Sequence, residues 1–441
     1  MRKHIFGIAL YVVALVGGPT AGAQGATAAP IADLDTAWSA ISRTYFDTSL
    51  VKGPWRGYRD SLRAALGESP ELDDVRVAIR TLIAYPAQSH FALIPSDAVP
   101  LPSSPSSGGA PGTTGIDVRM IGDTLVVWRV HAGSVGAAAG VRPGQIITHI
   151  DTLAVSTLQD RLGRAFPAGS REAKQMVAQV AMSRLGRTTG DTTTLTVLGA
   201  DGTPRRAVLV HTPLAGTLTR FGNLPPLVVR TTRDSVQVVT ARGPVVVPII
   251  HFSSWFPAIS AELDRHLFAV RGAPAVILDL RGNPGGAVGM IAGVAGHFSD
   301  TSWNLGTMYG RGSTLTLRAN PRLVDATGTR HPVISAPLAI LIDPFTASSS
   351  EFFAAGMQAL GRAQVFGEPS AGQALPAAML RLPSGDVLMH PIADHEDAKG
   401  RRVEGTGVVP DVITPLTRSE LQAGRDVALD AARAWLARTL P

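Results

Sequence analysis

The stretch APAVILDLRGNPGG, Ala273 to Gly286, decides the fold class. Its first half is a short unbroken apolar run, the pattern of a strand buried on both faces, and its second half is a glycine-rich turn. From about Val228 onwards such runs alternate with helical stretches. VVVPIIHF is a strand, FPAISAELDRHLFAV a helix, AVGMIAGVAGHF a helix, APLAILID a strand and SSEFFAAGMQALG a helix. This predicts a βα-type core with its sheet covered on both sides. The turns RGNPGG and FTASSSE (Phe345 to Glu351) both follow strands, and open α/β sheets bind ligands at such C-terminal ends.

Three consecutive serines, Ser348 to Ser350, stand at the second turn. A serine at a strand-to-helix turn projects its hydroxyl outward, and the N–H groups after it lie at a helix N-terminus without intrahelical partners. One such donor beside a nucleophile suits the developing oxyanion of acyl transfer. Gly285 and Gly286 allow close backbone approach and supply candidates for a second donor. Serines also cap helices with no chemistry at all, so residue type leaves both roles open. The stretch is not the GxSxG elbow of the α/β-hydrolases.

Composition narrows the chemistry. A chain of 441 residues exceeds one ordinary core and implies two or three domains. Hydrophobic residues make up 45% and charged residues 17%, a globular balance. The net charge of +6 is scattered rather than gathered into a stripe, which argues against nucleic-acid binding. Cysteine is absent, so a nucleophile must be an oxygen or a nitrogen.

At the N-terminus, Arg2, Lys3 and His4 precede an apolar run from Ile5 to about Val16, and small residues follow. The run falls short of the about 20 residues of a membrane span. Residues 1–23 therefore read as a signal peptide cleaved between Ala23 and Gln24, giving a secreted or periplasmic protein without stable membrane insertion.

Helical periodicity then recurs at Leu34, Trp38, Ile41 and Tyr45, and again at Leu72, Val75, Ile79 and Leu82, which predicts an N-terminal helical domain over 31–98. Residues 99–115 are a Pro/Ser/Gly linker with little to bury. Over 116–212 short strand-like runs alternate with turns, around AGSVGAAAGVRPGQIITHID (Ala132 to Asp151). This stretch resembles the PDZ domain of bacterial proteases, with Gly140 and Gly144 at its turn positions and Gln145 where the usual Asp stands. The resemblance implies a site that takes the C-terminal end of an extended peptide by strand addition, with Gly140 and Gly144 in it. Residues 213–441 are expected to form the α/β core with a C-terminal helix.

Three separated blocks, VILDLRGNPGG, PLAILIDPFTASSSEFFAAGMQALGRAQVFGEPSAG and VEGTGVVPDV, resemble the signatures of the tail-specific and tricorn-type serine peptidases. The order of parts is similar too: a helical region, a PDZ domain, then a crotonase-like α/β core. The resemblance spans nearly the whole mature chain and implies an α+β multidomain endopeptidase acting through an acyl-enzyme. It implies a peptide or unfolded protein as substrate, and no cofactor or metal is expected.

Within the [ST]-A-S-x-S-E block the nucleophile is the serine three places before the glutamate, here Ser348, and Ser349 supplies an oxyanion N–H. One branch of the family activates its serine with a lysine in a block similar to GEPSAGQA, but Gln373 stands at that position and cannot take a proton. Lys399 lies in a charged loop outside the block. The tricorn-type branch uses a Ser-His pair and a Glu before GVxPD. Here these are Ser89 with His90, and Glu404, which places this chain closer to that branch.

His90 then acts as general base, with Glu404 bonded to its other ring nitrogen and Ser89 orienting their surroundings. An ordinary imidazole predicts an acid limb with a pKa near 6–7. The rival expectation is a catalytically weak or inactive member that binds peptides. A hydratase-like enzyme on the same core is disfavoured by the export signal.

The remaining candidates read as structural. His251 ends a core strand and is the next candidate for a base. His390 and His395, with Glu396 and Asp397, lack familiar zinc spacing. Asp279 and Arg281 organise the glycine turn, and Trp128 and Trp255 are core or groove aromatics.

Overall fold

The structure is a computed structural model and describes residues 30–52, 54–96, 109–163, 166, 169–199, 201–220 and 227–441. The expected signal peptide and most of the 99–115 linker lie outside the described residues. The chain divides into two units. The larger contains 30–96, 217–413 and 433–441, and the smaller contains 109–216 with 414–432.

The larger unit begins with helices α1 (Ile31–Thr44), α2 (Trp55–Leu66) and α3 (Leu72–Ala84), followed by the short strand β1 (Ala92–Ile94). Leu34, Ala37 and Ile41 of α1 share one buried cluster with Trp55 and with Val75, Ile79 and Leu82 of α3. These are the positions that helical spacing puts on one face. Leu93, Leu382 and Leu388 complete the cluster, so the helices share their core with residues distant in sequence.

The rest of the unit runs β2 (Thr231–Thr240), β3 (Gly243–Phe252), α4 (Ser260–Ala269), β4 (Val276–Asp279), β5 (Trp303–Gly310), β6 (Leu338–Ile342), α5 (Ser349–Ala359), β7 (Ala363–Gly367), β8 (Ala377–Arg381), β9 (Val387–Pro391), β10 (Ala393–Asp397) and β11 (Val412–Ile413). Six of these strands form one sheet in the order β2-β3-β4-β6-β7-β11, antiparallel between β2 and β3 and parallel beyond. Every residue of β4 and β6 is buried, which is why both are apolar without alternation. A second sheet joins β1 to the hairpin β8–β9, with Ile94 opposite Val387.

The smaller unit is an antiparallel sheet of strands Ile116–Ile121, Thr124–Val130, Ile146–Ile150, Thr192–Leu198 and Pro204–Val210, with the helix Arg171–Leu185 packed on the first strand. Helix Arg418–Gln422 belongs to this unit and closes over Gly144. A Cβ there would stand 2.5 Å from Gln422 Cγ, and Arg418 Nε donates to the Gly144 carbonyl at 2.8 Å. Among the described residues no helix is long and apolar enough to cross a membrane.

Candidate active site

The C-terminal ends of β4 and β6 lie side by side, so the turns that follow them meet. Asp343 Oδ1 accepts the Gly282 N–H at 2.9 Å, and the Ala347 N–H donates to the Asn283 carbonyl at 3.1 Å. Asn283 also holds the end of β3, donating from Nδ2 to the Phe252 carbonyl at 2.8 Å. Asp279 and Arg281 pair with each other in a buried bidentate bridge, at 2.9 and 2.7 Å, and so brace the start of the glycine turn.

Ser348 is the residue before α5, with φ +54 and ψ −121. A non-glycine residue at positive φ is strained and is kept there only by its surroundings. Here its N–H donates to both the Gln373 carbonyl and Glu351 Oε2, each at 2.9 Å. With Glu351 it forms a capping box at the start of α5. Its hydroxyl lies 3.3 Å from His90 Nε2, with both residues buried.

His90 comes from the connection between α3 and β1, where it also has positive φ, +62. Its Nδ1 lies 2.7 Å from Ser89 Oγ, and that hydroxyl donates to Glu404 Oε2 at 2.9 Å. The Ser89 hydroxyl thus links the carboxylate to the ring as a relay. The relay still sets the tautomer. A hydroxyl has one proton, and Ser89 gives it to Glu404. Ser89 then accepts from Nδ1–H, which leaves the Nε2 lone pair facing Ser348.

Glu404 is kept in place by the Ser89 N–H on Oε1 at 3.1 Å and the Ala374 N–H on Oε2 at 2.7 Å. Burial raises its pKa above the ordinary value, opposed by these donors and the Ser89 hydroxyl. Burial pushes His90 down to about 3, so the resting ring is a neutral acceptor. In the sequence Glu351 only closes the serine motif. It is fully buried and accepts from the Ser370 hydroxyl at 2.6 Å, and from the N–H groups of Gly372 at 2.7 Å, Gln373 at 3.0 Å and Ser348. It ties the Ser348 turn to the 370–373 segment. Burial pushes it up to about 7 against those four donors. The signal available in sequence was its place three residues after an N-cap serine.

The three candidate oxyanion donors differ. The Gly285 N–H is already engaged by Asn283 Oδ1 at 3.0 Å, whereas those of Gly286 and Ser349 have no acceptor among the described residues. Gly285 has φ +98, and a Cβ on it would stand 2.6 Å from Ser348 Cβ and 2.9 Å from Ser349 N. Only glycine fits against Ser348 here. Ser349 Oγ holds the Gly286 carbonyl at 2.8 Å, and Trp255 Nε1 donates to Ser350 Oγ at 2.8 Å, so all three serines are engaged.

Other sequence candidates lie outside this cluster. His251 Nδ1 is 2.9 Å from the Asp279 carbonyl, and His390 Nδ1 is 3.2 Å from that of Pro391. Trp128 is stacked by Arg119 and Arg129 in the smaller unit, and Gly140, at φ +74, faces the Arg205 guanidinium. No group of three His, Asp or Glu among the described residues could hold a metal.

His395 is buried with neither ring nitrogen bonded, and stacks on Phe352 at 3.9 Å. Burial pushes it down to about 3. As pH falls below 6.5 the unfolded chain therefore takes the proton first, and stability declines. His395→Met should raise stability by about 1 kcal/mol by removing unsatisfied buried groups, and should flatten that acid decline. Denaturant midpoints at neutral and mildly acid pH measure both.

Residues 246–414 match Peptidase family S41. The carboxyl-terminal-processing protease of a Picosynechococcus species is 30% identical over 145 residues, 33% of this chain and 33% of that protein. A tricorn protease homolog of Streptomyces coelicolor is 27% identical over 301 residues, 67% of this chain and 22% of that protein. The chain thus spans a third or less of the length of either relative. The photosystem II D1 C-terminal processing protease shares the fold, with a TM-score of 0.61 at 18% identity over 93% of this chain and 98% of that one. The stretch that matches Peptidase family S41, residues 246–414, carries both the serine turn and Glu404.

Proposed function

We propose that this protein is a serine endopeptidase in which Ser348 is the nucleophile and His90 the general base. The observation that carries the reading is the buried 3.3 Å approach of His90 Nε2 to Ser348 Oγ, with Nδ1 tied through Ser89 to Glu404. Ser348 Oγ attacks the scissile carbonyl carbon while Nε2 takes its proton. The imidazolium then protonates the leaving amine, and a water repeats the sequence on the acyl-enzyme. The oxyanion is received by the N–H groups of Ser349 and Gly286, with Gly285 giving the clearance. Glu404 acts on the ring through Ser89, fixing its tautomer and stabilising its charge.

The wider organisation follows the same reading. Residues 116–212 are a PDZ-like module for the C-terminal end of a peptide, and the core at 217–413 with 433–441 is crotonase-like. A hollow lined by Met120, Gln159, Ala173, Lys174 and Val177, between the Ile116–Ile121 strand and the Arg171–Leu185 helix, suits strand addition. Gly144 lies beneath helix Arg418–Gln422, so its part in that module is packing. Residues 1–23 direct export to the periplasm or beyond.

Labelling with an active-site serine phosphonate followed by peptide mapping tests the nucleophile. The adduct should sit on Ser348. An adduct elsewhere, or none on a protein that hydrolyses peptides, would sink the assignment.

The relay makes a second test. A glutamine at 404 can still accept from the Ser89 hydroxyl and the Ala374 N–H if its carbonyl oxygen takes the Oε2 position. It then loses the Ser89 N–H contact and the negative charge. Glu404→Gln should therefore lower kcat on the order of 10²-fold, less than removal of the base. Steady-state kinetics on one peptide compares the two variants.

A further inference from the structure

His90 is carried on an irregular connection between α3 and β1, and both Ala87 and His90 in it have positive φ. Backbone held in this region needs outside support. The tip of the β8–β9 hairpin provides it. Asp386 there is fully buried, and it accepts from Arg76 Nε on Oδ2 at 2.8 Å and from Arg76 Nη2 on Oδ1 at 2.9 Å. Its Oδ1 also accepts the Ser96 N–H at 2.8 Å.

Arg76 lies on α3, before the connection, and Ser96 lies just after β1. One carboxylate thus grips the chain on both sides of His90. The neighbouring Ser384 N–H donates to Asp33 Oδ1 at 3.0 Å, fastening α1 to the same tip. Tyr45 donates to Gln88 Oε1 at 2.6 Å within the connection itself. Burial pushes the Asp386 carboxyl up, but the Arg76 and Ser96 bonds outweigh it and hold the group below the ordinary value.

We propose that Asp386 is a positioning residue for the catalytic base, clamping both ends of the His90 segment to the core and so setting the His90–Ser348 distance. The inference rests on the reading of His90 as base. A buried ion pair is a poor device for stability, since apolar side chains of similar volume often replace one at no loss. A planar guanidinium on a carboxylate is, however, a good device for orientation. Leu382 and Leu388 on either side of the tip already pack into the helical cluster, so the charge there serves geometry.

Two variants separate geometry from stability. Asp386→Asn keeps an acceptor for the Ser96 N–H but loses the charge. The double variant Arg76→Met with Asp386→Leu replaces the pair by apolar side chains and removes the clamp. Thermal unfolding, kcat and KM on one peptide, and the rate of phosphonate labelling at Ser348 are compared with wild type and with His90→Ala. The double variant should melt near wild type, while kcat falls on the order of 10²-fold at little-changed KM. Labelling should slow in proportion, because both need the base at Ser348. Asp386→Asn should fall between.

A folded double variant with wild-type kcat overturns the proposal. So does loss of the folded state in both variants, which would assign the pair to stability. Wild-type kcat in His90→Ala would mark a different failure, that of the base itself, whatever the Asp386 variants do.

Discussion

Replacing Ser348 by alanine is expected to abolish peptide hydrolysis, with a loss in kcat on the order of 10⁶-fold. The fold should survive. Glu351 reaches back to the backbone N–H at 348, and alanine retains that half of the capping box. Alanine also fills no new space beside Gly285, where the Cβ of residue 348 already sets the clearance. Unchanged circular dichroism and melting with no turnover is the expected pair of results. Wild-type turnover in the purified variant would end the nucleophile assignment.

Replacing His90 by alanine should cost on the order of 10⁴-fold or more, because it removes the acceptor for the Ser348 proton and the donor to the leaving amine together. The pH dependence should differ from that of an exposed imidazole. With burial holding His90 down at about 3, the ring stays neutral as pH falls through its ordinary 6.5. The acid limb of kcat/KM then reports the carboxyls that hold the site.

Glu351, at about 7, loses its hold on the Ser348 N–H when protonated. Glu404, raised above its ordinary value, frees the Ser89 hydroxyl when protonated. That hydroxyl can then donate to Nδ1, leaving the ring proton on Nε2 and the base blocked. Both changes lower the rate as pH falls. Imidazole resonances of His90 followed by NMR should show no titration near 6.5 in the free protein. A midpoint there would return the acid limb to the base.

The parts of this protein legible in sequence are those that local patterning controls. Val276–Asp279 and Leu338–Ile342 are strands buried on both faces, and an unbroken apolar run declares that burial without any partner being known. The faces of α1 and α3 follow from helical spacing in the same way. Ser348, Ser89, His90 and Glu404 were singled out by motif resemblance, which identifies residue types in order but measures no distance.

Tertiary structure decided what depends on contacts distant in sequence. Ser89 links Glu404 to the His90 ring, Arg76 and Ser96 converge on Asp386, and Glu351 gathers four donors from two segments. The same holds for the 414–432 stretch, which joins the smaller unit and covers Gly144. The pKa of His90 belongs here too, since desolvation depends on everything packed around the ring. Periodicity records which face of a segment is buried, and a sequence carries that locally. Which segment it is buried against, and how dry the place becomes, is settled only when the chain closes on itself.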